Sequence, residues 1–217
     1  MRIGFNAQIV TTGRAGIAVS ARNLIRHLIQ LGSPHTFVVF GGAEFLSTLE
    51  GPNVECVVSS VQMSGSWQRI LWEQCVLPFL VKRHRIDVML FDDHTLPLAL
   101  KSCKQIITIH DLAFLAHPET FPASTRIYKE LAVKWSANRA ERIIVDSYAT
   151  RRECERLLQI KDGKLCVVHK GLDETFVRID DSSLLGQVRA RYLLHNDFLL
   201  YVGTLEPRKN LTTLINA

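Results

Sequence analysis

The chain has 217 residues, 47% hydrophobic and 22% charged, an ordinary balance for a globular protein large enough to bury a core. Its formal charge of +5 favours anionic partners, whether sugar nucleotides, phospholipid surfaces or nucleic acid. Five widely spaced cysteines with no C-x-x-C pair argue against a disulfide framework or a structural zinc site and fit a reducing compartment. Met1–Val10 reads as too short and polar for a signal peptide, and no apolar run approaches the ~20 residues of a membrane span.

Arg2–Asn6 reads as a first strand and Ala7–Ala15 as a loop of small and polar residues. Gly16–Leu31 follows as a helix with Ile17, Ser20, Leu24, Leu28 and Leu31 near one face, stopped by Gly32-Ser33-Pro34. His35–Phe40 reads as a second strand, Gly41-Gly42 as a turn and Asn53–Val58 as a third strand. Ser66–Arg85 is helical, with Trp67, Leu71, Cys75, Phe79 and Leu80 near one face, and Pro78 kinks or divides it. Asp87–Phe91 and Gln105–Ile109 are strands, and Ala123–Arg139 is a helix with Ile127, Leu131 and Trp135 at four-residue spacing. Arg142–Val145 is a strand, and Thr150 with Glu153 forms a T-x-x-E capping box for the next helix. Lys164–Val168 is a further strand. Residues 169–197 are a transition with a short helix from Ser182 to about Tyr192. Phe198–Val202 opens a last strand, ended by the turn at Gly203 and followed by Leu211–Ala217 as the start of a helix. Strands alternate with helices throughout, and several strands are continuous apolar runs. That pattern is an α/β fold, a Rossmann-like parallel sheet with helices on both faces.

In such sheets ligands bind beyond the carboxyl ends of the strands. The loops after strands are therefore the candidates. Gly13 and Gly16 frame the first of them and let backbone amides approach a phosphate or a sugar. His110-Asp111 follows an apolar strand. Asp111 is placed to orient the imidazole, which can bond a sugar hydroxyl or a phosphate. Ser147 begins another such loop. Asp92-Asp93-His94 has the residue types of a metal site, but adjacent ligands on one loop rarely converge on one ion. Near the C-terminus, a strand, the Gly203 turn, the cations Arg208 and Lys209 and a helix start together form an anion site. The surface of Ala123–Arg156 carries eight Lys or Arg residues diluted by interleaved glutamates, which fits an anionic membrane or a plain solvated face. The dinucleotide fingerprint G-x-G-x-x-G is absent, which disfavours a nicotinamide- or flavin-dependent oxidoreductase.

Several stretches match one family in order. TGRAGIAVSARNLIRHL, with G-I-A-V-S-A-R-N-L from Gly16 to Leu24, resembles the first loop and helix of glycosyltransferase family 4. WEQCVLPFL, ITIHDLAFLAHPETFP, IIVDSYATRRECERLL, KLCVVHKGLDETF and YVGTLEPRKNL resemble later parts of the same family, nearest to its mannosyltransferase-like members. The resemblance implies a GT-B architecture, with 1–178 as the N-terminal acceptor-side domain, 179–197 as a linker and 198–217 as the start of the nucleotide-sugar domain. It implies sugar transfer with retention of configuration in polysaccharide biosynthesis. The donor would be a GDP- or UDP-sugar and the acceptor a glycan or a lipid-linked glycan. It implies no metal, no other cofactor and no nucleic-acid partner, in a cytoplasmic protein peripheral to a membrane. Carried over by position, Gly16 approaches the donor diphosphate or the transferred sugar, His110 contacts that sugar, and Lys209 stabilises the departing diphosphate.

Departures from the family pattern are informative. Ala18 replaces a common glycine. Thr204 stands where many members carry arginine, which leaves Arg208 as the candidate second cation. His169-Lys170 replaces the usual Pro-Asn before Gly171. The family's E-x7-E segment would lie beyond Ala217, so the isolated chain is expected to be impaired or inactive. Two alternatives stay open, a fragment of a longer enzyme and a non-catalytic module that binds an acceptor or a separate donor-domain partner.

Overall fold

A computed structural model of the chain describes residues 1–12, 16–31, 33–59, 66–160, 163–173, 175–205 and 207–216, and the structural statements below concern these residues. They form two compact units, Met1–Lys170 and Gly171–Ala217. The first is built on seven strands: β1 (Arg2–Asn6), β2 (Thr36–Gly41), β3 (Val54–Val58), β4 (Val88–Phe91), β5 (Lys104–Ile109), β6 (Arg142–Val145) and β7 (Leu165–Val167). Their spatial order is β3-β2-β1-β4-β5-β6-β7, and every pairing is parallel. Helices cover both faces, so the fold is the Rossmann-like α/β sheet that the alternating pattern requires.

On one face lie α1 (Gln8–Thr12), α2 (Gly16–Gln30) and α3 (Ala43–Leu46). Val10 of α1, Ala21, Ile25 and Ile29 of α2 and Phe45 of α3 pack on Phe5, Phe37, Val39 and Leu90 of the sheet. The other face carries α4 (Ser66–Cys75), α5 (Leu77–Arg83), α6 (Ala113–Ala116), α7 (Ala123–Arg139) and α8 (Tyr148–Leu158). Trp72, Leu77, Val81, Phe114, Val133, Ala137 and Cys154 pack there on Phe40, Met89, Phe91, Ile107, Ile109, Ile143 and Val145. Pro78 does divide the helical stretch. It sits in the first turn of α5, where its missing N–H leaves no bond unmade.

Five details differ from the sequence expectation. Part of the expected loop Ala7–Ala15 is the short helix α1. Gly41 closes β2 rather than turning, and a Cβ there would press on Ala7 at 3.2 Å. The cap of α8 is Ser147, not Thr150: its side chain accepts from Thr150 N, and Thr150 is a buried helical residue. The regular apolar stripes on α4 and α7 point outward, with Trp67 68% and Leu131 65% exposed, while smaller residues such as Val133 and Ala137 face the sheet. On α7 small side chains let the helix approach the sheet closely, whereas on α4 the face turned to the sheet is the one that carries Trp72. Finally, Phe198–Val202 forms no strand.

The second unit contains α9 (Ser182–Arg191), capped by the Asp181 carboxylate, a single turn at Pro207–Lys209 and α10 (Leu211–Asn216). None of its described residues is buried, and Leu199 is 91% exposed. An apolar run becomes a buried strand only when neighbouring strands satisfy its backbone groups, and the described residues supply none to Phe198–Val202.

Gly4 lies at the centre of the sheet, opposite Met89 in the register of β1 and β4. A Cβ there would stand 2.6 Å from Met89 Sδ and 3.0 Å from Ile86 Cγ2, both belonging to buried side chains. Gly4→Ala is therefore expected to cost about 1–3 kcal/mol in urea denaturation. Gly16→Ala, where a Cβ meets nothing within 4 Å, is expected to stay within about 0.5 kcal/mol of the parent.

Candidate functional site

Because all strands of the first unit run parallel, the residues that follow them gather at one edge of the sheet. Asn6 ends β1, Asp92 follows β4, His110 follows β5, Asp146 follows β6, and His169-Lys170 lie just past β7. His110 is the centre of this group. Its Nδ1 donates to Asp146 Oδ2 at 2.7 Å, and its Nε2 lies 3.3 Å from the Asp92 carbonyl oxygen and 3.6 Å from Asp92 Oδ1. Thr150 Oγ1 donates to the His110 carbonyl oxygen at 3.3 Å, so the start of α8 braces the backbone of the same residue. The imidazole, at the end of β5, is thus held on both sides by groups from the ends of β4 and β6.

Lys170 joins the cluster. Its ammonium stands 3.4 Å from Asp146 Oδ1 and 3.7 Å from Asp92 Oδ1. His169 Nδ1 contacts the Asp146 carbonyl oxygen at 3.1 Å, and its ring meets Tyr148 edge-on at 5.7 Å. Two carboxylates therefore share one lysine and one histidine, an arrangement that orients the imidazole and limits its freedom to turn.

A second network lies along the inner side of α4. Asn6 Nδ2 donates to Glu73 Oε1 at 2.8 Å, and Arg69 stands 3.9 Å from Glu73 and 3.4 Å from Asp93. Asp93 accepts from His94 N at 2.7 Å, and the His94 ring stacks on Phe114. Burial pushes the Glu73 carboxyl above the usual range, and the Arg69 charge and the Asn6 hydrogen bond only partly oppose it. Burial pushes Asp93 the same way, but the charges of His94 and Arg69 and the His94 N–H outweigh it, and Asp93 sits below the usual range. Burial also holds His94 below the ordinary imidazole value. Desolvation pushes the half-buried Cys103 thiol up to about 11 and the buried Cys154 thiol up to about 12, which leaves little reactive thiolate at either.

The residues picked out in the sequence fall in several places. Gly16 opens α2 at the carboxyl edge of the sheet. Ser147 caps α8, one residue beyond Asp146. Asp111 accepts from Ala113 N at 3.1 Å, so it caps a local turn, and the carboxylate that orients His110 is Asp146. Thr204 and Lys209 belong to the second unit, both exposed, with Lys209 closing the Pro207–Lys209 turn. Gly13 lies outside the described residues, as does the side chain of Arg208. No group of three His, Cys, Asp or Glu side chains among the described residues is arranged to hold a metal, so Asp92-Asp93-His94 does not form the metal site its residue types permit. Asp146, Lys170, Arg69 and Glu73 escaped the sequence reading as site residues, and Asp92 was singled out there only as one of the Asp92-Asp93-His94 metal-type residues. Each stands beside a strand end or on the helix facing one, the only signal that could have found them.

A concavity of about 840 Å³ lies at the opposite edge, lined by residues such as Asp87, Lys101, Lys104, Arg139 and Glu141. It is open and sits at the amino ends of the strands. The carboxyl edge, with its fixed imidazole and compensated carboxylates, is the chemically competent one.

Residues 14–176 match the sequence profile of Glycosyltransferase Family 4. The chain belongs to that family. The O-antigen chain mannosyltransferase B of Escherichia coli is 23% identical over 232 residues, covering 100% of this chain and 59% of that protein. Among solved structures, Anabaena HepE in complex with UDP-glucose superposes with a TM-score of 0.65 at 18% identity, covering 100% of this chain and 56% of that one. A glycosyltransferase from Rickettsia africae gives a TM-score of 0.50 at 13% identity, covering 90% of this chain and 50% of that one. At these identities the structural likeness shows the fold. The chain spans between half and three-fifths of the length of these relatives. No helix among its described residues is long and apolar enough to cross a membrane.

The upward shift of Glu73 has a consequence for this family 4 chain. A carboxyl whose folded value is raised holds its proton longer in the folded state than in the unfolded chain. Stability is therefore lost as pH rises from the ordinary glutamate value of 4.5 through the raised value. Glu73→Gln keeps the oxygen that accepts from Asn6 and removes the charge. It is expected to raise the melting temperature at pH 7.5 relative to the parent, with the difference shrinking below pH 4.5; a lower melting temperature at both pH values refutes this reading.

Proposed function

We propose that the chain supplies the acceptor-side half of a nucleotide-sugar-dependent glycosyltransferase. The reaction moves a hexose, in the mannosyltransferase manner, with retention of configuration, onto a glycan or lipid-linked acceptor. The observation that carries this reading is His110 held between Asp146 and Asp92 at the carboxyl edge of a family 4 sheet. The relative named as an O-antigen chain mannosyltransferase supports the sugar and the glycan acceptor, and the superposition on a UDP-glucose complex supports a nucleotide-sugar donor.

In this reading the Nε2 side of His110 meets a hydroxyl of the transferred sugar, and Asp146 keeps the ring from turning away. Gly16, where a Cβ would meet nothing within 4 Å, leaves room for a diphosphate or sugar beside the start of α2. Asp111 and Ser147, and by sequence position Gly13, are taken as substrate-binding residues with it. Lys209, with Arg208 beside it and Thr204 in the preceding turn, neutralises the departing diphosphate. That contact strengthens as the glycosidic bond breaks, and it therefore favours the transition state over the ground state. The reaction needs no metal on this account, because lysine and backbone donors carry the charge.

With GDP-mannose or UDP-glucose as donor and a lipid-linked glycan as acceptor, His110→Ala in the enzyme carrying this chain is expected to lower kcat by about 10²-fold or more. Far-ultraviolet circular dichroism checks that the fold is retained. Undiminished transfer by a folded His110→Ala overturns the proposal.

One observation favours a second reading for the isolated chain. Its second unit buries no described residue and leaves Leu199, Leu200 and Val202 strongly exposed. A donor-side sheet, whether from the same polypeptide or from a separate subunit, would cover that run, and the 217 residues alone would act as a binding module. Purified residues 1–217 are expected to turn over either donor very slowly or not at all, read by chromatography of released GDP or UDP. Rapid turnover by the isolated chain removes this second reading.

A further inference from the structure

Two regular apolar stripes face away from the sheet. Trp67, Leu71, Cys75 and Phe79 recur at every fourth residue along α4 and into α5, and all four are exposed, Phe79 by 63%. Ile127 and Leu131 repeat that spacing on α7 and are exposed as well. These helices pack on one face of the sheet through other residues, Trp72, Leu77 and Val81 on one side and Val133 and Ala137 on the other. Both stripes therefore belong to the outer surface of that layer. The segment between β4 and β5 joins them. Leu98 N donates to Gln74 Oε1 of α4 at 2.8 Å, and Leu96 N donates to Ser136 Oγ of α7 at 2.9 Å. Between the two helices the Leu98 side chain, 62% exposed, adds to the same surface. A single exposed apolar residue is ordinary, but a patch built from several elements marks an interaction surface.

The charges on the same helices narrow what covers it. Lys82 and Arg83 lie on α5, and Arg126, Lys129, Lys134 and Arg139 on α7. The sole acid in either helix is Glu130, which Lys134 pairs at 2.6 Å. A two-fold contact between copies of this chain would set these cations against one another. A small anion would use the cations and leave the stripes bare. An anionic lipid surface satisfies both: apolar side chains enter the boundary between headgroups and acyl chains, and lysines and arginines reach the phosphates. Trp67 and Tyr128, both exposed, are the residue types that favour that boundary.

We infer that the outer surface of α4, α5 and α7 docks on an anionic lipid bilayer, with Trp67, Leu71, Phe79, Leu98 and Leu131 at the headgroup boundary and the lysines and arginines of α5 and α7 on lipid phosphates. The inference goes beyond the proposed transfer reaction and does not depend on the role of His110. It accounts for two helical stripes that packing on the sheet leaves unexplained. The inner side of α4 reaches the carboxyl edge through the bond from Asn6 to Glu73, so the docking surface adjoins the edge that holds His110.

The test is co-sedimentation of the 217-residue chain with vesicles of phosphatidylcholine containing about 30% phosphatidylglycerol. Saturable binding is expected, weaker by about tenfold or more on pure phosphatidylcholine or in about 0.5 M sodium chloride. Tryptophan emission is expected to shift to the blue as Trp67 leaves water. The double variant Leu71→Ser/Leu131→Ser is expected to bind about tenfold more weakly or worse, with its melting temperature level because both side chains are exposed. The variant Leu199→Ser/Leu200→Ser, in the exposed run of the second unit, is expected to bind as the parent does. Binding lost in that variant but kept in Leu71→Ser/Leu131→Ser overturns the inference and moves the lipid contact to the second unit. Equal binding to neutral and anionic vesicles overturns the assignment to anionic lipid. A lipid-free dimer that Leu71→Ser/Leu131→Ser converts to monomer in sedimentation velocity overturns it in favour of a second copy. Absence of saturable binding by the parent overturns it outright, and leaves the reading of His110, which is tested by transfer, untouched.

Discussion

Parallel pairing in a single register is the constraint on which everything else rests. In an antiparallel sheet, Asn6, Asp92, His110, Asp146 and Lys170 would be divided between two opposite edges. Here β1, β4, β5, β6 and β7 all run one way, so the residue after each strand arrives at the same edge. The 2.7 Å bond from His110 to Asp146 exists because Ile109 pairs with Val145, the residues just before them. A slip of one residue would move His110 away from that carboxylate and exchange the β5 side chains between the two helix-covered faces of the sheet. Gly4 serves the same constraint from below. Its missing side chain leaves room for Met89 and Ile86, so that β1 and β4 can sit in register at the centre of the sheet.

Once the edge is assembled, partners rather than burial decide how each charge behaves. Glu73 and Asp93 lie in one network and both reach toward Arg69, yet their carboxyls shift in opposite directions. Glu73 has a distant ion pair and a neutral amide for company, so burial wins. Asp93 has Arg69, His94 and a backbone N–H, so the attractive interactions win. Arg69 stands closer to Asp93 than to Glu73, in keeping with that split. The result is a row of acids beside His110 whose charge states are set apart by geometry, although in sequence they are simply carboxylates near strand ends.

The sheet was legible because apolar runs alternate with helical periods, and parallel strands buried on both faces leave that mark. His110 was legible because a polar residue straight after Ile106–Ile109 stands out. Its partner was not: Asp146 lies 36 residues away, and only the pairing of β5 with β6 joins them. Asp111, next door in sequence, looked like the natural orienter, but its short side chain closes on Ala113 N instead. Helix faces were misread for a different reason. On α7 the large Ile127 and Leu131 suggest the buried stripe, whereas close packing on the sheet selects Val133, Ser136 and Ala137; on α4 the expected Trp67 and Leu71 stay exposed and Trp72 is buried instead. Phe198–Val202 has the composition of a strand, and composition alone cannot provide the neighbour that makes one.

The pair His169-Lys170 departs from the Pro-Asn that the family resemblance leads one to expect, and the departure makes physical sense only together with the acids around it. A lysine placed at the end of the first unit, beside a buried imidazole, would be a stranded charge without Asp92 and Asp146. Equally, Asp92, only 6% exposed, has the Lys170 ammonium 3.7 Å from its Oδ1. Asparagine at 170 could bond one carboxylate but could not neutralise either. Lysine and carboxylates are therefore a matched set, and the chain that leaves β7 is tied electrostatically to the same two groups that hold His110. The last residue of the first unit is in this way part of the site, since Lys170 and His110 face the same two carboxylates.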